Sequence, residues 1–239
     1  MRDVSLPKIQ PYELPTAAEL PAGRVAWRPD PTRAALLVHD AQRYFLAPYQ
    51  GAPVPEMTAN IAALIAAARA NGVPVFYTAQ PGHQDIADRG LLTEFWGPGI
   101  GGVIDADPSA ADIVPDLAPG PADTVLVKWR YSAFQRSTFA DRLAVLGRDQ
   151  LLITGVYAHI GCQATAVEAF MRDVQPFLVA DAVADFSRRH HEQALEYVAQ
   201  RCGVVTTTGA VLESLSPAAL SPAALSPAAL SPVAAEAVR

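Results

Sequence analysis

The stretch Gln150-Leu151-Leu152-Ile153-Thr154-Gly155-Val156-Tyr157-Ala158-His159-Ile160-Gly161-Cys162 reads as a strand opening through a turn into a helix. Three other apolar runs share its grammar, and each ends on a chemically useful side chain. Ala34-Ala35-Leu36-Leu37-Val38-His39 ends on Asp40, Val73-Pro74-Val75-Phe76-Tyr77-Thr78-Ala79 on Gln80, and Thr124-Val125-Leu126-Val127 on Lys128. Helical patterns separate the runs, which implies parallel strands. In open parallel sheets ligands sit in the crevice beyond the carboxyl ends of the strands. Four such ends in one chain therefore point to one active site.

Two further runs, Pro176–Ala180 and Gly203–Thr207, are separated by a helical pattern over His190–Arg201. Helices are also expected over Pro55–Asn71, around Thr138–Leu146, and from about Gly161 to Asp173. The fold class implied is α/β: a doubly wound, parallel sheet of about six strands flanked by helices. Right-handed crossovers place the strand ends on one rim. Residues 1–32 are rich in proline and aperiodic, and read as an N-terminal arm that is ordered only against the domain or another subunit. Residues 33–213 form the expected domain. Inside it, a long polar and glycine-rich excursion runs from Pro81 to about Pro121 and carries Arg89, Phe95 and Trp96. Loops of that length with aromatics inside are expected to be functional. Residues 214–239 repeat Ser-Pro-Ala-Ala-Leu and read as a linker-like tail without chemistry.

The 239 residues carry a formal charge of −6 and are 51% hydrophobic. That is ample for a core, and without a basic stripe the chain is not expected to bind nucleic acid. No signal-like apolar segment or membrane span is visible, so a cytoplasmic location is expected. Cys162 and Cys202, the only cysteines, are expected to be reduced.

Taken singly, Asp40 is an ordinary turn residue, Lys128 a surface charge and Cys162 a small core filler. Jointly they weigh more. Lys128 follows four apolar residues and needs a carboxylate partner at a partly buried rim. Cys162 at a first helical turn would have a lowered thiol pKa, which suits a nucleophile. His39 and His159 read as structural, because no metal-ligand cluster stands near them in sequence; no metal or cofactor is expected.

The residues Leu36-Leu37-Val38-His39-Asp40, Tyr77-Thr78-Ala79-Gln80-Pro81, Phe95-Trp96-Gly97-Pro98-Gly99, Val127-Lys128-Trp129-Arg130-Tyr131-Ser132-Ala133-Phe134, Thr154–Cys162, Pro176–Ala182 and Ala184–Ser187 carry a family likeness over roughly residues 6–213. The chain resembles the isochorismatase family of the cysteine-hydrolase superfamily. The resemblance implies hydrolysis of a vinyl ether: isochorismate and water give pyruvate and 2,3-dihydro-2,3-dihydroxybenzoate. Asp40 matches the family's proton donor and Lys128 its companion. Gln80, Arg89, Tyr157 and the Gly161 amide match its polar substrate contacts. Phe45 and Trp96, with Tyr44 and Phe95, would wall the site. Cys162 and Tyr131 are further candidates. The resemblance also places a cis peptide at Val156-Tyr157. The implied partners are a small dicarboxylate substrate, further copies of the chain in a homo-oligomer, and a carrier protein acting in trans.

Two readings compete with this one. The first is hydrolysis of the 2-amino-2-deoxy analogue of isochorismate, as in phenazine pathways. It is ranked second because phenazine-type members tend to lack the cysteine that Cys162 supplies. The second is a nicotinamidase-like amidohydrolase with Cys162 as nucleophile, Asp40 as base and Lys128 as activator. The metal-binding cluster expected there after the second strand is replaced by Gln80-Pro81-Gly82-His83. In the isochorismate reading a wall around Asp40 would disfavour its anion while Lys128 would favour it, and the sequence leaves open which prevails.

Overall fold

A computed structural model describes residues 6–216. The expected Ser-Pro-Ala-Ala-Leu tail from residue 217 onward lies outside the described residues, as do the first five residues of the arm. Six strands form one parallel sheet in the order β3-β2-β1-β4-β5-β6. They are β1 (Ala34–His39), β2 (Val75–Ala79), β3 (Thr124–Val127), β4 (Gln150–Val156), β5 (Gln175–Ala184) and β6 (Val204–Thr206). Every residue of central β1 and β4 is buried, as expected of strands covered on both faces. Edge strand β3 buries only Leu126 fully.

Alternation along the strands feeds two cores. Leu36, Val38, Phe177 and Val179 join one, under α2 (Val54–Ala70) and α8 (Thr208–Leu215). Ala35, Leu37, Leu178 and Ala180 join the other, under α5 (Phe139–Val145), α6 (Gln163–Phe170) and α7 (Arg188–Arg201). Helix α2 buries Ile61, Leu64, Ile65 and Ala68, the helical-period positions, and stops at Asn71-Gly72 with Gly72 at φ +67°. It begins at Val54, within a residue of the expected start. Three short helices complete the set: α1 (Arg43–Leu46), α3 (Ile86–Arg89) and α4 (Leu92–Trp96).

Three expectations shift. Strand β5 runs on past the expected end at Ala180 through Asp181–Ala184, and this extension re-pairs with β4 after a register shift between Ile153 and Gly155. The helix expected from Gly161 is instead a π-helical turn over Ala158–Cys162 followed by α6, which stops at Phe170. The last helix runs to Leu215, two residues past the expected domain boundary. The arm is laid on the domain: Ile9 bridges Tyr49 and is fully buried, and the Tyr12 hydroxyl meets both the Asp185 amide and His191 Nδ1. The excursion after β2 folds into α3, α4 and three 3₁₀ turns. Gln42 pins it to the sheet by donating to Gln80 O and Ala111 O and accepting from Gln80 N. Among the described residues no helix is long and apolar enough to cross a membrane.

Candidate active site

The order 3-2-1-4-5-6 reverses between β1 and β4, and the crevice at that switch point is where this topology holds ligands. Asp40 is the first residue past β1, and its φ of +47° is a left-handed conformation that aspartate tolerates. The turn aims its carboxylate across the strand ends. Thr78 Oγ1 donates to Asp40 Oδ1 at 2.6 Å and accepts from the Asp40 amide at 3.0 Å. Lys128, the first residue past β3, donates from Nζ to Asp40 Oδ2 at 2.8 Å. Both partners are nearly inaccessible.

Burial pushes the Asp40 carboxyl upward, but His39, Lys128 and Thr78 together outweigh it and hold the group below the usual carboxylate range. His39 is completely buried, and burial lowers its pKa to about 4. It is therefore neutral near pH 7, and the downward pull on Asp40 is best credited to Lys128 and Thr78. The His39 Nδ1 contact with Val156 O, 2.9 Å, is the shorter of its two carbonyl contacts, which assigns the proton of the neutral ring to Nδ1. The ring is wedged beneath the π turn: a Cβ on Gly161 would lie 2.1 Å from His39 Cε1, which only glycine avoids. Gly155, at φ +99°, passes the His39 backbone equally closely.

Above the ion pair opens a cavity. Nine of the ten candidate residues line it: Asp40, Lys128, Gln80, Arg89, Tyr157, Gly161, Phe45, Trp96 and Tyr131. Arg89 is buried, donating from Nε to Gly97 O (2.7 Å) and from Nη1 to Gln84 Oε1 (3.2 Å). Burial lowers its pKa. Its neighbour Asp88 is not its partner, because that carboxylate is paired with Arg136 at 2.6 Å. Trp96 Nε1 donates to the Tyr131 hydroxyl at 2.7 Å, which fixes the indole as a wall.

Other expectations need correction. Phe95 is 73% exposed and turned away from the cavity, since adjacent residues on a one-turn helix face different directions. Tyr157 offers its ring, because its hydroxyl donates to Phe45 O at 2.7 Å. The expected cis peptide is present between Val156 and Tyr157. Cys162 does not line the cavity. It is fully buried in the core on the α6 side of the sheet, and burial, then Asp40, push its thiol well above the ordinary range, not below it. Both cysteines are free.

Sequence reasoning missed Leu6 from the arm, and Leu92, Arg130, Ile160 and Phe186, all of which line the cavity. Arg130 and Phe186 stand inside motif stretches, but nothing in their spacing says which way they point. Chain folding also brings together His159, Asp185 and His190, whose potential ligand atoms lie within 4.8 Å of one another. Asp185 Oδ1 already meets His159 Nδ1 and the Phe186 amide, and Oδ2 the His159 amide. The two imidazoles stack with planes 13° apart, so their lone pairs do not converge on one point. This group reads as a hydrogen-bonded latch behind Phe186, which itself lines the cavity.

Comparison with known proteins agrees with this geometry. A protein 50% identical over 217 residues, 90% of this chain and 68% of its own length, is the isochorismatase of Bacillus subtilis strain 168. Another, 52% identical over 207 residues, 87% of this chain and 98% of its own, is the phenazine biosynthesis protein PhzD of Pseudomonas fluorescens. Among solved structures, a cysteine hydrolase from Pseudomonas syringae pv. phaseolicola 1448A superposes with a TM-score of 0.71 at 24% identity, over 82% of this chain and 97% of that one, which shows a shared fold. The Isochorismatase domain model matches residues 34–210, and with relatives at this level of identity the chain belongs to the isochorismatase family.

Proposed function

We propose that this protein hydrolyses the enolpyruvyl vinyl ether of isochorismate, releasing pyruvate and 2,3-dihydro-2,3-dihydroxybenzoate. The observation that carries the reading is the buried Asp40–Lys128 pair at the floor of an aromatic cavity whose remaining charges are cationic. Asp40 is the proton donor. In the free enzyme it is an anion, so the substrate must help to protonate it. Two substrate carboxylates entering the cavity raise the Asp40 pKa by like-charge repulsion and compete for the Lys128 ammonium. Once protonated, Asp40 delivers its proton to the terminal methylene carbon of the vinyl ether. The resulting oxocarbenium ion takes up water, which loses a proton to give a neutral hemiketal. Cleavage of the bond between the hemiketal carbon and the ether oxygen releases pyruvate, the oxygen staying on the ring and taking a proton to become the product's hydroxyl. Lys128 stabilises the carboxylate that forms on Asp40 as the proton leaves, where the developing charge needs a fixed partner. Gln80 and Arg89 hold the substrate's polar groups, and the rings of Phe45, Trp96 and Tyr157 shield the cation from bulk solvent.

The charge balance favours isochorismate over its 2-amino analogue. Three cations (Arg89, Lys128 and Arg130) face one carboxylate in the cavity lining, an excess of two that suits a dianion. An ammonium on the ring would leave a net charge of −1, and Asp40, the one carboxylate in the lining, is engaged by Lys128. Burial of Cys162 argues against an amidase reading, in which a thiolate must reach a carbonyl. Incubation with isochorismate and with 2-amino-2-deoxyisochorismate, following pyruvate, tests the proposal. Faster turnover of isochorismate is expected, and no pyruvate from either overturns it. Self-association and a carrier protein acting in trans belong to the same reading; sedimentation of the purified chain, alone and with an aryl carrier protein, tests them.

A further inference from the structure

We propose that Arg130 is a second guanidinium anchor for the substrate, taking one carboxylate while Arg89 takes the other. The inference rests on the isochorismatase reading above and gives a specific contact to a residue which that reading counts only as one of the cavity's charges. Arg130 stands two residues past Lys128, where an extended chain returns to the same side. Trp129 between them turns outward and is covered by the Arg136 guanidinium, 5.0 Å from the ring centroid. Arg130 is half-buried in the cavity lining.

Its guanidinium is held by one corner only. Nη1 donates to Asp88 O at 2.8 Å and to Trp129 O at 2.7 Å. Among the described residues it has no carboxylate within ion-pair distance, and Asp88, whose carbonyl it meets, gives its carboxylate to Arg136. Nη2 lies over Gly90, where a Cβ would come 3.1 Å from it, so the bare glycine backbone leaves the guanidinium room. A half-buried cation held by neutral carbonyls, with its Nε–Nη2 edge uncommitted, matches a carboxylate fork to fork. Arg89 has the same character: two neutral acceptors, no carboxylate, and a cavity position. A ligand with two separated carboxylates satisfies both, whereas a monocarboxylate leaves one guanidinium uncompensated.

The test uses the full chain and three unreactive probes: 3-(carboxymethoxy)benzoate, which has both carboxylates, and phenoxyacetate and 3-methoxybenzoate, which each have one. Wild type is expected to bind the dianion about tenfold or more tightly than either monoanion, the worth of one charged hydrogen-bonded contact. In Arg130→Gln that advantage should collapse about tenfold against one of the two monoanions, and KM for the turned-over substrate should rise with kcat little changed. A folded Arg130→Gln protein that keeps the full dianion preference overturns the proposal and leaves Arg130 a role only in holding Asp88 and Trp129. If Arg130→Gln does not fold, Arg130→Lys reads the same ratio. It keeps the charge but loses the fork, so an intermediate preference is expected, and an unaltered one refutes the anchor. Absence of pyruvate release by wild type would instead refute the functional reading, so the two failures are distinct.

Discussion

Replacing Asp40 and Lys128 singly and together separates their roles in stability and in chemistry. At 2.8 Å their attraction is worth about 6 kcal/mol at an effective dielectric constant of about 20, before the cost of removing both charges from water is set against it. Asp40→Asn keeps the side-chain shape, can still accept from Thr78, and tolerates the φ of +47°. It leaves a Lys128 side chain that is 3% exposed without its counter-ion. Breaking a buried pair in this way costs about 3–5 kcal/mol. Adding Lys128→Met removes the stranded charge, so the double variant should regain most of that loss in urea denaturation followed by tryptophan fluorescence. Activity should not follow stability. General acid catalysis contributes about 10²–10⁴-fold, and Asp40→Asn, alone or in the double variant, should lose pyruvate release by that factor. Two results would refute the reasoning. A stability loss below about 1 kcal/mol in the single variant would mean that the pair is not sealed from water. Retention of a tenth of wild-type kcat would mean that another group donates the proton.

Other outcomes follow from the same geometry. Cys162→Ala should fold and release pyruvate within about tenfold of the wild-type rate, or ~1.4 kcal/mol in barrier, because a buried thiol outside the cavity touches no reacting atom; complete loss of turnover in the folded variant would restore the nucleophile reading. Since Asp40 is held below the usual carboxylate range in the free enzyme, log kcat/KM should fall with pH across neutrality with a slope approaching −1, and a flat profile would show that the free enzyme is already protonated there. Stability should respond to acid in the opposite sense. His39 and His191 are each lowered by burial from 6.5 to about 4, so between those values the unfolded chain binds protons that the native one refuses. Stability should therefore fall from pH 6.5 to 4 by about 3 kcal/mol for each histidine, and His191→Gln should flatten that slope in denaturation curves at pH 7 and 4.5.

The fold was legible because its signals are local. A six-residue apolar run ending on Asp40 can be buried on both faces only in a central parallel strand, and the separating helices show their period in Ile61, Leu64, Ile65 and Ala68. Gathering Asp40, Gln80 and Lys128 at one rim needed only the crossover rule. Direction and burial were less legible. Phe95 and Trp96 are neighbours of similar character, yet only Trp96 finds a partner in Tyr131 and a place in the cavity. Asp181–Ala184 reads as the end of a strand because aspartate and alanine carry little strand preference. Tertiary contacts decide it: Asp181 caps α8 through the Thr208 amide and hydroxyl, and its carbonyl accepts from Asn60. Arg130 gave no signal of its own, because an arginine beside a motif is equally consistent with solvent.

Cys162 shows how one backbone frame separates two chemistries. A helix start following a strand end is where a thiolate would be activated, and the sequence places a cysteine there. The π turn over Ala158–Cys162 changes the outcome by turning Cys162 away from the cavity and into the core with Ala166 and Ala169. His39 seals the floor at this point, its ring lying directly under Gly161, so no side chain can be added there without displacing a buried group. Burial then keeps the thiol protonated, and Asp40 adds to that effect. A resident thiolate would already compete for Lys128 in the free enzyme, whereas in the proposed reading that competition belongs to the substrate's carboxylates, whose arrival protonates Asp40. With Cys162 buried and neutral, Lys128 answers to Asp40 alone until the substrate enters, so that in the proposed reading protonation of Asp40 is coupled to binding of the dianion.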